Sequence, residues 1–209
     1  MKVIVFGATG SVGRIATQRM LDAGHSVTAF ARNPCKLGID HPDLTYWTGD
    51  VLNPAHVDEA MRGMDAAVIT LGAGASRTSR VRSQGTMQII EAMHAHGVRR
   101  LICQTTLGTH ESWSNLNFFW KRIMFGLLLG PAHKDHELQE YLVRASGLDW
   151  TIVRPSAFTD GPATGTFDEG FGPGHRPRTL KIARADVAEF LKRQLVDLNY
   201  RQRAVGISH

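Results

Sequence analysis

Short apolar runs rich in β-branched residues alternate along this chain with longer stretches in which apolar positions recur every three or four residues. The short runs lie at Lys2–Phe6, Ser26–Ala31, Leu44–Thr48, Ala66–Leu71, Arg100–Thr105 and Asp149–Arg154, and each predicts a strand. The longer stretches lie at Val12–Ala23, Ala55–Arg62, Gln84–His96, Asp135–Ala145 and Ala185–Leu198, and each predicts a helix. Alternation of this kind predicts βαβ units and a parallel sheet. The strand runs are apolar at every position, as expected when helices cover both sheet faces.

Local residues mark several boundaries. Gly24 and Gly97 stand where helices should stop, and Pro54 follows Asn53 at a predicted helix start. From Phe158 to Arg178 the chain is rich in Gly and Pro, and a strand-helix signal resumes at Leu180, so this stretch reads as a loop excursion within one domain. The organisation expected is a single α/β domain over 1–209, a doubly wound parallel sheet with insertions at about 107–133 and 156–179.

Composition narrows the picture modestly. A chain of 209 residues suits one such domain. The formal net charge of +5 favours an anionic partner, whether nucleotide phosphate, acidic substrate or nucleic acid. No helix-turn-helix or aromatic-basic motif supports nucleic acid. Two cysteines, Cys35 and Cys103, suggest no disulfide framework and point to a reducing, cytoplasmic setting. Met1-Lys2 leads directly into an apolar strand, unlike a secretory signal. The most apolar stretch, Trp113 to Gly130, is broken by Lys121 and Arg122 and makes a poor membrane span.

The strongest chemical signal is Val5-Phe6-Gly7-Ala8-Thr9-Gly10-Ser11-Val12-Gly13-Arg14. A Gly-x-x-Gly-x-x-Gly turn that leaves a strand and opens a helix lets backbone approach a pyrophosphate and turns free N–H groups toward it. The fold expected is therefore of the Rossmann type with a nicotinamide dinucleotide as ligand, the alternative being a tight turn that merely packs helix on strand. At the end of the second strand stands Arg32, where an NAD-selective site carries an acid. A guanidinium there suits a 2′-phosphate, with Lys36 as a second cation, so NADPH is the expected cofactor, although a solvated arginine is the alternative. After the third strand, Asp50 and Val51 are placed to meet the adenine, or Asp50 caps the next helix. Leu71-Gly72-Ala73 ends the fourth strand and lets backbone pass close to the cofactor.

With these pieces placed, the chain resembles the atypical short-chain dehydrogenase/reductase group, which includes the NmrA-like NAD(P)-binding proteins, and within it the biliverdin-IXβ and flavin reductases. The likeness spans nearly the whole chain. It rests on Phe6-Gly7-Ala8-Thr9-Gly10, Gly49-Asp50-Val51-Leu52, Ala95-His96-Gly97-Val98, Ser146-Gly147-Leu148, Pro162-Ala163-Thr164-Gly165 and Ala183-Arg184-Ala185-Asp186-Val187-Ala188. The first two are common to the group, and the others narrow it. The resemblance implies a pyrophosphate turn at Gly7, Thr9, Gly10, Ser11, Val12 and Gly13, a 2′-phosphate contact at Arg32 and Lys36, and adenine contacts at Asp50 and Val51. It implies an orienting hydroxyl at Thr106, beside Thr105, where those reductases carry serine. The loop Arg154-Pro155-Ser156-Ala157-Phe158 would line the nicotinamide. Those reductases have histidine at Ala157, and His136 matches a second histidine of theirs, at a position where many relatives have lysine.

The acid and base inventory separates activities. None of Tyr46, Tyr141 and Tyr200 is followed four residues later by lysine, so the Tyr-x-x-x-Lys pair of alcohol-acting relatives and sugar epimerases is absent. A flat conjugated acceptor, such as a flavin, a bilin or a quinone-like molecule, takes its second proton from water and needs chiefly positioning. The expected function is an NADPH-dependent reductase of such acceptors, a monomer or weak homo-oligomer, with a dinucleotide-sensing regulator without turnover as the alternative. No metal site is expected at His133 and His136. The basic residues Arg176, Arg178, Lys181 and Arg184 either steer anions or form a solvated face. The segment Trp113 to Gly130 holds Phe119, Trp120 and three consecutive leucines. It reads as an apolar wall or lid for the acceptor, with Trp113, Phe119 and Trp120 as contacts, or else as a core helix, a dimer interface or a membrane-surface contact.

Overall fold

The computed structural model describes residues 1–74, 76 and 79–209. Strand β1 (Lys2–Phe6) is followed by helix α1 (Ser11–Asp22), β2 (Ser26–Ala31), β3 (Leu44–Thr48), α2 (Pro54–Met61), β4 (Ala66–Ile69), α3 (Val81–Ala95) and β5 (Arg100–Gln104). Then come α4 (Gly130–Ala145), β6 (Asp149–Pro155), β7 (Ala157–Thr159), β8 (Asp168–Glu169), β9 (Lys181–Ala183), α5 (Arg184–Arg193) and β10 (Arg203–Ser208). The main sheet has the order β3-β2-β1-β4-β5-β6-β10-β8, parallel except for the antiparallel edge β8. A small parallel pair, β7 with β9, stands beside it. The strand order reverses between β1 and β4, which opens a crevice at the carboxyl ends of those strands. The doubly wound Rossmann-type sheet expected from the sequence is thus present.

The apolar runs follow from the pleat. In β1, Val3 and Val5 join one buried layer with α1 and α5, while Ile4 and Phe6 join the other with α2 and α3. Successive side chains point to opposite faces, so a strand covered on both sides is apolar throughout. Strand β3 departs from that expectation. It lies at the sheet edge, where Tyr46 is exposed and its hydroxyl donates to the Ile39 carbonyl at 2.5 Å.

Cap chemistry sets the helix ends. Asn53 accepts from the Ala55 N–H at 3.0 Å, with Pro54 in the first turn of α2. Helix α3 begins at Val81, ahead of the expected Gln84, because Asp135 of α4 caps it across space. That carboxylate accepts from the N–H of Arg82 (3.2 Å), the N–H of Ser83 (3.1 Å) and the Ser83 hydroxyl (2.5 Å). Asp135 is therefore not the start of α4, which opens five residues earlier with Pro131 in its first turn. Helix α5 stops at Arg193, short of the expected Leu198, where buried Arg100 takes the Gln194 carbonyl through Nε (3.1 Å) and Nη2 (2.6 Å).

Strand β10 and the pitch of the segment after β5 were not expected from the sequence. Strand β10 completes the parallel sheet against β6, with Gly206 giving room to the Phe171 ring. The stretch between β5 and α4 is helical. A 3-10 turn covers His110–Asn115 and a π-helix covers Trp120–Leu128, where the Leu129 N–H reaches back to the Met124 carbonyl at 2.7 Å.

Candidate functional site

The crevice at the strand ends is a continuous cleft of about 800 Å³. One end is built by the glycine turn. Gly7 has φ +85°, and a side chain there would strike the Thr70 carbonyl at 2.7 Å. The Gly10 N–H donates to the Gly7 carbonyl at 2.9 Å, and Arg14 is the first residue whose N–H closes the α1 ladder, on Gly10 at 2.9 Å. The N–H groups of Ser11, Val12 and Gly13 therefore precede that ladder, α1 has no side-chain cap, and its first turn carries no acid. This is a cradle for an anion, and its residues fit a dinucleotide pyrophosphate.

Gly7, Thr9, Gly10, Ser11 and Val12 line the cleft, and Gly13 does not. Gly13 lies behind the turn, where an added Cβ would stand 2.3 Å from the Gly7 carbonyl oxygen and 2.6 Å from Thr70 Oγ1. It keeps α1 tight against the strand ends, which corrects its reading as a direct contact. Arg32 is exposed at the mouth and pairs with no carboxylate among the described residues. Lys36 follows it in a short 3-10 turn, Pro34–Leu37, and does not line the cleft. Asp50 and Val51 do line it. The helix-cap alternative for Asp50 is not what forms: Asn53 caps α2, and Asp50 Oδ1 accepts from the Leu52 N–H at 3.0 Å. Leu71, Gly72 and Ala73 form the floor after β4.

The other end is made by the ends of β5 and β6 and the segments that follow them. Thr105, Thr106, Pro155, Ser156, Ala157 and Phe158 line it. The Thr105 hydroxyl points away, donating to Glu140 at 2.7 Å. The Thr106 hydroxyl donates to the Leu107 carbonyl at 3.3 Å, and no side chain is bonded to it as a base among the described residues. Leu116, Trp120, Phe125 and Leu129 supply an apolar wall. Trp113 and Phe119 do not reach the cleft, which corrects the expected contacts. Trp113 packs on Phe125 and His133, with ring centroids 6.2 and 5.4 Å apart, and Phe119 faces outward at 53% exposure. Phe119 stands at the cap just before the π-helix and Trp120 is its first residue, and adjacent positions on a helix point about 100° apart, so only one of the two can face the cleft.

His136 also lines the cleft, with Nδ1 3.1 Å from Gln139 Oε1. Burial, then the nearby Arg82 charge, lower its pKa to about 3, so it is neutral at ordinary pH. His133 sits 3.0 Å from the Gly108 carbonyl and serves the fold.

Beneath the β6 end lies a network that the sequence reading did not single out. Glu140, fully buried, accepts from Arg154 Nε (2.9 Å) and Nη2 (2.6 Å), from Thr105 Oγ1 (2.7 Å) and from Thr109 Oγ1 (2.6 Å). Glu111 holds the far side of the same guanidinium at 2.9 and 3.3 Å. Arg154 thus lies under the cleft and not in it, clamping β6 to β5 and the loop after β5. The available signal was an arginine inside an apolar strand, a residue type almost never buried without partners. Gln104, which lines the cleft with Oε1 buried and without a partner among the described residues, was also missed.

A doubly wound sheet with a glycine cradle at its reversal point defines a nucleotide-binding protein of the Rossmann type. Residues 7–197 match the family described as NAD(P)H-binding, and the chain belongs to that family. The likeness to the atypical short-chain dehydrogenase/reductase group holds. An uncharacterized sugar epimerase, YhfK, from Bacillus subtilis (strain 168) is 27% identical over 223 residues, covering 100% of this chain and 94% of that protein. ChuY, an anaerobilin reductase from Escherichia coli O157:H7, superimposes with a TM-score of 0.78 at 25% identity over 99% of this chain and 96% of that one. A short-chain dehydrogenase/reductase from Veillonella parvula DSM 2008 in complex with NADP superimposes with a TM-score of 0.83 at 17% identity, over 100% and 94%. Among the described residues no helix is long and apolar enough to cross a membrane.

Proposed function

We propose that this protein is an NADPH-dependent reductase that passes a hydride to a flat conjugated acceptor, a flavin, a bilin or a quinone-like molecule. The observation that carries the reading is the continuity of the cleft: a phosphate cradle runs directly into an apolar wall of Leu116, Trp120, Phe125 and Leu129, and among the described residues no tyrosine lines either part. The anaerobilin reductase activity given to ChuY is of the same chemical class.

The cofactor supplies the hydride when bound. The chain's own residues hold it by the N–H groups of Ser11 and Val12 and by Arg32, while Thr106 orients the reacting faces. The apolar wall stacks the acceptor and excludes water from its ring. With His136 neutral and Thr106 without a base, the proton that balances the hydride comes from solvent. Thr106→Ala is accordingly expected to slow turnover only severalfold, measured as kcat at saturating NADPH. Complete loss with cofactor binding intact would show that its hydroxyl moves the essential proton.

The reading is tested by anaerobic oxidation of NADPH with FMN, biliverdin or a benzoquinone. Turnover with one of them is expected. Trp120→Ala is expected to raise the acceptor KM about tenfold, the worth of one well-stacked aromatic contact. Phe119→Ala should leave acceptor KM and NADPH affinity unchanged. Tight NADPH binding with no turnover of any acceptor would instead favour a dinucleotide-sensing regulator.

A further inference from the structure

We propose that Arg82 is the seat for an anionic group, a carboxylate or phosphate, carried by the acceptor. The inference rests on the reductase reading of the cleft, and it names the kind of acceptor that the cleft selects. Arg82 lines the cleft, and its side chain is 14% exposed. Its backbone is fixed by the Asp135 cap at the start of α3. Its guanidinium is not satisfied by that carboxylate. Nη1 lies 3.6 Å from Asp135 Oδ2, beyond hydrogen-bond reach, and both Nε and Nη1 are buried without a hydrogen-bond partner among the described residues. A buried guanidinium left short of acceptors carries a desolvation cost that a bound anion removes.

Position separates this cation from the cofactor's own phosphates. Arg32 follows β2, and the pyrophosphate cradle follows β1. Arg82 follows β4, across the reversal point, and stands beside His136 of α4, one turn along from His133, whose ring packs on Phe125 at 4.6 Å. The charge it exerts there helps keep His136 neutral, so among the described residues this end of the cleft holds a cation that is ion-paired with Asp135 yet has unfilled donors. An acceptor stacked on the apolar wall with an acidic side arm would place ring and charge together.

Two matched pairs of acceptors test this: FMN against riboflavin, and biliverdin against its dimethyl ester. Within each pair the conjugated ring is constant and only the anion differs. Arg82→Met is expected to raise KM for FMN and biliverdin by tenfold or more, about one lost charge-assisted hydrogen bond, and to leave riboflavin, the diester and the NADPH Kd unchanged. Arg82→Lys should recover part of the loss. Equal effects on both members of a pair would show a structural role and overturn the proposal. A fall in NADPH affinity would assign Arg82 to the cofactor and overturn it as well. The same pairs, titrated against NADP⁺-loaded protein by flavin or bilin fluorescence quenching, separate this inference from the function it rests on. Anion-selective binding that depends on Arg82 but without turnover would sink the reductase reading and keep the anion seat. No selectivity in binding would remove the seat whatever the turnover.

Discussion

Replacing Glu140 by alanine is expected to lower the stability of the fold by about 3–5 kcal/mol, the range for a buried charge pair that loses one partner. The cost arises because Arg154 is 2% exposed and its Nε and one Nη2 bond depend on Glu140, while Thr105 and Thr109 lose their acceptor too. Urea unfolding reads the loss as a lower midpoint at unchanged slope. A change below about 1 kcal/mol would mean that Glu111 alone carries the guanidinium. The double variant Glu140→Leu with Arg154→Met should recover most of the loss, since it leaves no uncompensated charge. Acid should act on the same network through Glu111. Burial raises its pKa, but hydrogen bonds from Arg154, from backbone N–H and from Arg144, with the Arg154 charge, outweigh this and hold it at about 2 against an ordinary 4.5. Its contribution is full above pH 4.5 and is lost as pH falls toward 2.

Arg32→Glu is expected to weaken NADPH binding about a hundredfold and to leave NADH nearly unaffected. A charge-assisted pair with the 2′-phosphate contributes about 1.5–3 kcal/mol, and the substituted carboxylate adds repulsion. The unmodified protein should therefore prefer NADPH, and the variant NADH, in equilibrium titrations followed by nicotinamide fluorescence. Equal affinities in the unmodified protein would remove Arg32 from the 2′-phosphate. Lys36, outside the cleft, should matter only through long-range charge, an effect that 0.15 M salt largely screens.

The sheet was legible because burial on two faces leaves a local trace, an apolar run such as Val3-Ile4-Val5-Phe6. The cradle was legible because close backbone approach demands glycine at fixed spacing. What stayed hidden depends on partners distant in sequence. Asp135 reads as an ordinary acid near a helix start, yet it caps a helix beginning more than fifty residues earlier. Glu140 and Arg154 read as a helix surface charge and a strand-end arginine until the fold brings them together. Strand β10 carries only Val205 and Ile207 around Gly206, too little pattern to register without its neighbour β6. Trp120 and Phe119 were indistinguishable as adjacent aromatics, because which face of that segment turns toward the cleft is set by packing with residues distant in sequence.

The pitch of the segment after β5 has a consequence for the shape of the cleft. A π-helix closes its bonds one residue later than an α-helix, as the Leu129 N–H to Met124 carbonyl bond does here, so removing one residue from Trp120–Leu128 would shift that stretch toward α-helical register. Loss of one residue there would tighten the register while leaving β5 and α4 as fixed endpoints. A one-residue change of length there would re-aim Trp120 and Phe125 at the mouth of the cleft while leaving the glycine turn of Gly7 to Val12 in place.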